Sequence, residues 1–440
     1  MSLLQAFRSC AALFITMVTM VIGHGLIGSL LGLRLLQEGY STGTAGLVMA
    51  GLFLGLVIGA LIMPRLIARV GHVRVYAAMS ALTSLIVLAQ SQWVDPWVWF
   101  GLRIVTGATV AGLYIVIESW LNDRAENSNR GGLTAIYMVL FMLAMGIGQL
   151  LLSVTSPLDD LLFLLSAGLY VLSLVPLALS ISPEPTIVQP QPFSIAKLYR
   201  RSRTGTVSAM MIGLLHGTLI GMTAVYGEAA GFDLGRVSLL SAAIYVGGIL
   251  LCFPVGRLSD FMERRLVLAV VALLVTVFCG LAVLAQASGF WLLLISLALA
   301  GGLSQPLYSL CLAVTHDRLT REERVSASAT LYLVIGLASS VGPPLCGFMM
   351  EALGAIGFFY YLGSLHALLG GYALYRSLKL APAKAQVEVT AAAAAMPPPP
   401  PQRLEPGSGS DSGLVGWSAS DSLGLSGGDP PLTPDPYGQR

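Results

Sequence analysis

Residues 11–33 read AALFITMVTMVIGHGLIGSLLGL, a run in which His24 is the one ionisable side chain. Wound as an α-helix it is about 35 Å long, enough to cross a hydrocarbon core of roughly 30 Å. In such a core every backbone N–H and C=O must be satisfied inside its own segment, which selects a helix. A barrel strand would alternate polar and apolar residues, and this run does not. Arg8 precedes it and no small-residue cleavage site follows, so it reads as a retained first span and not a removed signal peptide.

Working outward, windows bounded by charge, Gly/Pro or Asn/Asp clusters predict twelve spans. They lie near 11–33, 44–66, 73–91, 96–118, 132–155, 160–181, 206–228, 236–258, 266–285, 290–313, 325–350 and 355–377. Composition agrees, with 55% hydrophobic and 10% charged residues and a mean hydropathy of +0.80. Soluble domains carry about 25% charged residues, so a water-soluble globule is excluded. A net charge of +2 points to no nucleic-acid partner. The five cysteines lack CxxC spacing, so neither a disulfide framework nor a zinc site is expected. Without a Walker A sequence, ATP hydrolysis is not expected, no cofactor is implied, and no catalytic nucleophile or carboxylate pair suggests an enzyme.

An even number of spans puts both termini on one side. On that side fall 21 of the 24 Lys and Arg residues, while Arg34 and Arg236 fall opposite and Arg103 lies within a span. The positive-inside rule then places both termini in the cytoplasm, for a multi-pass protein of the inner (plasma) membrane. The expected organisation is a six-helix bundle over 1–181, a cytoplasmic linker over 182–205, a second bundle over 206–380 and a disordered tail over 381–440. The linker carries four prolines and then Lys197, Arg200, Arg201 and Arg203; ordinary positive-inside charge is the favoured reading and contact with anionic head groups the alternative. The tail is rich in Ala, Pro, Gly and Ser, with five consecutive prolines from Pro397.

The two halves repeat. A shift of 192 to 194 residues carries His24-Gly25 onto His216-Gly217, Gly43 onto Gly235, Leu113-Tyr114 onto Leu307-Tyr308, Asp123-Arg124 onto Asp317-Arg318 and Gly148 onto Gly342. Six spans per half give both halves the same orientation, so the bundles are parallel repeats with a substrate path expected between them.

Between the eighth and ninth spans stands Gly256-Arg257-Leu258-Ser259-Asp260, followed by Arg264-Arg265; its first-half counterpart is PRLIARVGHVR, Pro64 to Arg74. This pair resembles the cytoplasmic signature of the major facilitator superfamily. Pro64 replaces the glycine and Ala68 the aspartate in the first copy, while Arg69, Gly71 and Arg74 remain. Gly112 to Asn122 (GLYIVIESWLN), Asn129-Arg130-Gly131 and the fifth span ending GIGQLL resemble the YcaD-like branch of that superfamily, and the likeness covers 11–380. Arg103 to Gly107 is similar to a fourth-span RxxxG signature, and Gly342-Pro343-Pro344 to an eleventh-span Gly/Pro bend. The resemblance implies an all-α membrane protein, twelve transmembrane helices in two parallel six-helix bundles.

Ionisable residues inside spans are costly in hydrocarbon and so are functional candidates. His24 and His216 sit midway through the first and seventh spans; the resemblance implies that both face a central cavity, and imidazole can change charge near neutral pH. The alternative for each is a neutral histidine bonded between packed helices. Arg103 needs water, a carboxylate or an anionic substrate. Tyr114, Gln149, Tyr226, Tyr245, Gln305, Tyr308 and Tyr332 are candidate hydrogen-bonding groups, with His24, Arg103, Tyr114, Gln149, His216, Gln305 and Tyr308 forming the expected substrate and proton cavity. His366 reads as a packing histidine. Glu118 carries a proton or, the favoured reading, pairs with Arg124 or Arg130. Arg69, Gly71, Arg74, Glu118, Arg130, Gly256, Asp260, Arg264 and Arg265 are the expected cytoplasmic gate. In it Asp260 docks near Arg130 and Gly131 at the N-terminal end of the fifth span, or else pairs with Arg264 or Arg265. Gly51, Gly55 and Gly59, four residues apart, permit close helix approach. The expected function is alternating-access transport of a small molecule by a monomer, with protons as coupling ion and efflux as direction. Uptake of an organic anion held by Arg103, or a sensor signalling through the tail, are the alternatives.

Overall fold

The computed structural model describes residues 7, 10–126, 129–179, 185 and 194–379. The tail over 381–440, Arg8 and most of the linker prolines lie outside the described residues. Among the described residues fourteen α-helices run in order. The first bundle contains α1 (Ala11–Gln37), α2 (Thr42–Val70), α3 (His72–Gln92), α4 (Pro96–Arg124), α5 (Arg130–Leu150) and α6 (Leu161–Ala178). A short α7 (Ile195–Arg201) follows in the linker. The second bundle contains α8 (Arg203–Ala229), α9 (Leu234–Phe261), α10 (Arg264–Ser288), α11 (Phe290–Ser304), α12 (Leu307–His316), α13 (Arg321–Leu353) and α14 (Gly357–Lys379).

Eleven of the twelve crossings are long and apolar enough to span on length and composition. The twelfth, α14, has the length at 23 residues, but Tyr360, Tyr361, His366 and Tyr372 dilute its apolar run. The tenth crossing is not one helix: it breaks at Gln305-Pro306 into α11 and α12, because a proline there has no N–H to continue the ladder. The second bundle's first helix begins three residues earlier than the expected seventh span, since Ser202 accepts the Gly205 N–H with its Oγ and starts α8 at Arg203. At the opposite face Ser41 caps α2 and its repeat equivalent Asp233 caps α9.

Water cannot drive helix association inside lipid, so packing and interhelical hydrogen bonds must do it. The repeat offset reappears in this packing. A methyl group on Gly25 would collide with the Met145 carbonyl of α5, and one on Gly217 with the Ser339 carbonyl of α13. Gly148 likewise meets the Ile22 carbonyl and Gly342 that of Leu214. The α2–α4 crossing puts Gly55 against the Ile104 carbonyl, and the α9–α11 crossing puts Gly247 against that of Ala298. Gly51 and Gly59 also lie against α4, as their spacing predicts. Ser166 Oγ donates to Gly23 O and Ser339 Oγ to Gly213 O, both at 3.0 Å. The outer shell is apolar: Leu274, Val277, Leu281 and Leu284 are exposed along one face of α10 at helical spacing, as a lipid-facing surface requires.

Filling these contacts should be costly. Gly55→Val or Gly247→Val is expected to destabilise by about 2 kcal/mol or more, because a backbone carbonyl cannot yield as a side chain can. Gly101→Val, where an added methyl meets nothing within 4 Å, should leave the thermal midpoint in detergent unchanged.

Candidate substrate cavity and its gates

The ends of the bundles on which α1 begins carry the basic loops and form the basic face. At the opposite face the bundles are joined. Thr42 Oγ1 donates to Gly347 O at 2.9 Å, the Gly43 N–H donates to Glu351 Oε1 at 3.0 Å, and Gly46 lies on the Pro343 carbonyl, so the start of α2 is clamped to the end of α13. Gln37 of α1 reaches Glu228 of α8 at 3.3 Å, and Gly32 packs on Val225. Tyr226 is consumed in an aromatic plug, stacked on Phe358 at 5.0 Å and edge-on to Phe359 at 4.8 Å.

Toward the basic face the bundles separate around a cavity of about 880 Å³, within the range of small-molecule sites. Its walls are the later halves of α2 and α4, the first half of α5, and parts of α8, α12 and α13. Ala60, Leu61, Ala111, Ile115, Met138, Phe141 and Leu333 make much of the surface apolar. Tyr114, Glu118, Tyr137, His216, Tyr308 and Tyr332 supply polar groups, and Arg65 also lines it. Phe141 links two of the tyrosines, with its ring 6.0 Å from Tyr114 and 6.4 Å from Tyr137.

Of the expected cavity residues, Tyr114, His216 and Tyr308 line this space. His24 does not: it is 7% exposed, hydrogen-bonds Tyr170 Oη of α6 through Nδ1 at 3.0 Å, and stands edge-on behind Tyr114 at 6.1 Å. The repeat-related histidines therefore differ, one reaching the cavity and one held a layer behind it. Gln149 is a clamp between helices, accepting from Ser29 Oγ at 2.6 Å and donating to Gly25 O at 2.8 Å. Gln305 sits at the α11–α12 break against Gly248 and lies outside the lining, and Tyr245 is buried beside Gly146. His366 packs as expected, bonded to Ser304 Oγ at 3.0 Å and Leu362 O at 2.8 Å.

Arg103 is 2% exposed and is not among the residues lining the cavity; its Cβ lies against Gly51 of α2, whose missing side chain leaves it room. Nη2 touches Met49 Sδ at 3.7 Å, while Nε and Nη1 have no hydrogen-bond partner among the described residues. Glu118 is exposed to the cavity and accepts from Tyr137 Oη at 3.2 Å. Among the described residues Glu118 forms no ion pair with Arg124 or Arg130 in this conformation, where its hydrogen bond comes from Tyr137. Tyr137 was missed in the sequence, although Thr134, Tyr137, Met138 and Phe141 share one face of α5 at spacings of three and four, which is the signal that could have found it.

The gate residues are spread apart on the basic face. Gly71 takes φ +98 between α2 and α3, a left-handed conformation suited to glycine, and Arg69 and Arg74 flank it exposed. Asp260 and Arg130 are exposed and not paired with each other, and a methyl on Gly131 or Gly256 would meet nothing within 4 Å. Arg264 pairs instead with Asp317 at 2.5 Å, and Arg265 lies 3.7 Å from Glu263.

Two bundles of repeated helices, joined at one face and parted at the other around a mostly apolar cavity, have the architecture of a membrane transporter. The chain belongs to the Major Facilitator Superfamily, whose family model matches residues 13–235 and 204–419. It is similar to the uncharacterized MFS-type transporter YcaD of Escherichia coli O9:H4, with 26% identity over 76% of this chain and 87% of that one. By fold it is similar to a point mutant of the nucleoside transporter NupG, at a TM-score of 0.70 and 12% identity over 84% of this chain and 99% of that one. It is also similar to a D-xylose-proton symporter, at a TM-score of 0.69 and 13% identity over 87% and 99%. The chain is thus a multi-pass secondary transporter of twelve transmembrane helices.

Glu351 ties the closed face through the Gly43 N–H. In Glu351→Ala that face should open more often, and a cysteine placed at Thr42 should react faster with a membrane-impermeant maleimide than in the otherwise unchanged protein.

Proposed function

We propose that the protein exports small, partly apolar compounds in exchange for protons. It works as a monomer in the inner (plasma) membrane with both termini and the basic face in the cytoplasm. The conformation described is then inward-open. The observation that carries this reading is Glu118: a carboxylate exposed in the cavity, hydrogen-bonded by Tyr137 and with no described cation within ion-pair distance, facing a space that His216 enters from the other bundle. A carboxylate that spends part of the cycle exposed and part enclosed by closing helices changes its proton affinity between the two states. The apolar walls favour a substrate that brings its own apolar surface.

On closure of the basic face, Asp260 is drawn toward Arg130 and the first turn of α5, with Arg69, Gly71, Arg74, Arg264 and Arg265 completing the latch of the outward-facing state. His24 comes into play when its bundle tilts. The burial of Arg103 away from the cavity argues for this reading over uptake of an anion held by that guanidinium.

In proteoliposomes an imposed pH gradient should drive substrate movement. Glu118→Gln should remove that dependence while substrate binding persists, and His24→Gln with His216→Gln together should abolish coupled transport without loss of folding. Transport that ignores the gradient in the unaltered protein would exclude proton coupling. Deleting residues 385–440 should leave transport intact, a result that favours a transporter over a sensor signalling through the tail.

A further inference from the structure

On the basic face of the second bundle, five arginines meet around one small hollow that shares no lining residue with the transport cavity. Arg201 comes from the end of α7, Arg203 from the start of α8, Arg265 from α10, Arg318 from the α12–α13 loop and Arg376 from α14. The hollow holds about 30 Å³, room for one small group and too little for a sugar or a nucleoside. Thr204 also lines it, and its Oγ1 accepts from Arg376 Nε at 3.1 Å.

Positive charge here is poorly compensated. Of the nearby carboxylates, Asp317 is taken by Arg264 at 2.5 Å, and Glu323 by Lys197 at 3.1 Å and Arg201 at 3.6 Å. Glu263 stands 3.7 Å from Arg265 Nε and accepts from Ser377 Oγ with its other oxygen. Arg203, Arg318 and Arg376 form no ion pair among the described residues. Arg265 is only 5% exposed, and Arg318 Nη2 is buried with no hydrogen-bond partner among the described residues. Arg201 and Arg203 stay exposed at the rim, but around the buried Arg265 and the buried Arg318 Nη2 the crowded guanidinium groups repel one another and leave a donor unmet, which an anion among them would relieve. The hollow also adjoins the first turn of α8, a 27-residue helix. Ser202 caps the Gly205 N–H there, while the N–H groups of Arg203 and Thr204 precede the intrahelical ladder.

We propose that this hollow is a binding site for one phosphate-type oxyanion, either the phosphate of an anionic phospholipid head group or a free phosphate. Guanidinium forks match phosphate oxygens in pairs, and five of them from five separate segments would be tied together by one anion. Because Arg201 belongs to the linker helix and the others to the second bundle, the bound anion fastens the linker to that bundle.

The test uses the purified full-length protein in neutral detergent and reads its thermal midpoint against inorganic phosphate, with sodium chloride at matched ionic strength as reference. Phosphate should raise the midpoint saturably beyond chloride. In Arg318→Gln and in Arg376→Gln the half-saturating concentration should rise by about ten-fold or more, the loss expected for one charge-assisted contact. Lys379→Gln, on the same face but outside the hollow, should bind as the unaltered protein does. A second arm places the protein in nanodiscs of phosphatidylcholine alone or with phosphatidic acid, and weighs the lipids it retains by native mass spectrometry. One anionic lipid held by the unaltered protein, lost in Arg318→Gln and displaced by phosphate identifies a head group; stabilisation by phosphate without lipid retention identifies the free anion, and either supports the site. Phosphate and phosphatidic acid no better than chloride and phosphatidylcholine, or equally effective on the folded variants, would overturn it. If neither variant folds, the titration of the unaltered protein decides alone.

Discussion

Everything in this protein depends on how closely its helices approach each other. Lipid tails are as apolar as leucine, so helices gain nothing by hiding leucines from them, and contact between backbones has to supply the attraction. The crossings of Gly25 and Gly148, of Gly217 and Gly342, and of the glycines that join α2 to α4 and α9 to α11 let carbonyl oxygens lie against Cα atoms, where weak C–H donors can meet them. At one crossing the proline spacing contributes: Pro343 removes the N–H that the Ser339 carbonyl would accept in a regular helix, and this is the carbonyl lying on Gly217.

These contacts make two firm sextets and leave the boundary between them as the softer part. That boundary is closed at one face by a few hydrogen bonds and a glycine–proline contact, and is open at the other. A bistable joint of that kind suits rigid-body rocking, since small rearrangements at either rim exchange one seal for another. The cavity inherits its character from the same arrangement. Its walls run from Ala111, beside the α2–α4 crossing, to larger side chains, and among these stand Glu118 and the tyrosines.

Charge follows a different rule from packing. Cations gather on one face, where the bundles' loops lie, and many find carboxylates: Arg264 with Asp317, Lys197 and Arg201 with Glu323. Two places break that pattern. Arg103 is enclosed between helices with two nitrogens unpartnered among the described residues, and the hollow beside Arg318 gathers five guanidinium groups, three of which form no ion pair among the described residues. A transporter can tolerate such frustration where another conformation or a bound ion relieves it.

The sequence by itself determined the class of solvent, the twelve crossings and the duplication, because bilayer thickness sets segment length and backbone hydrogen bonding leaves the helix as the solution. It also marked Gly51, Gly55 and Gly59 as packing glycines, since a four-residue spacing marks a helix face whatever the partner. Only the tertiary structure decided the cavity. Which of two equivalent histidines reaches it, that Gln149 is spent between helices, that Tyr137 and not an arginine meets Glu118, and that Arg103 lies behind α2 all depend on the rotation and tilt of one helix against another. Those are fixed by contacts between different helices, from 19 positions apart for Glu118 and Tyr137 to 146 for His24 and Tyr170, and the repeat that makes the halves alike in sequence cannot keep them alike once one face of the molecule is shut and the other open.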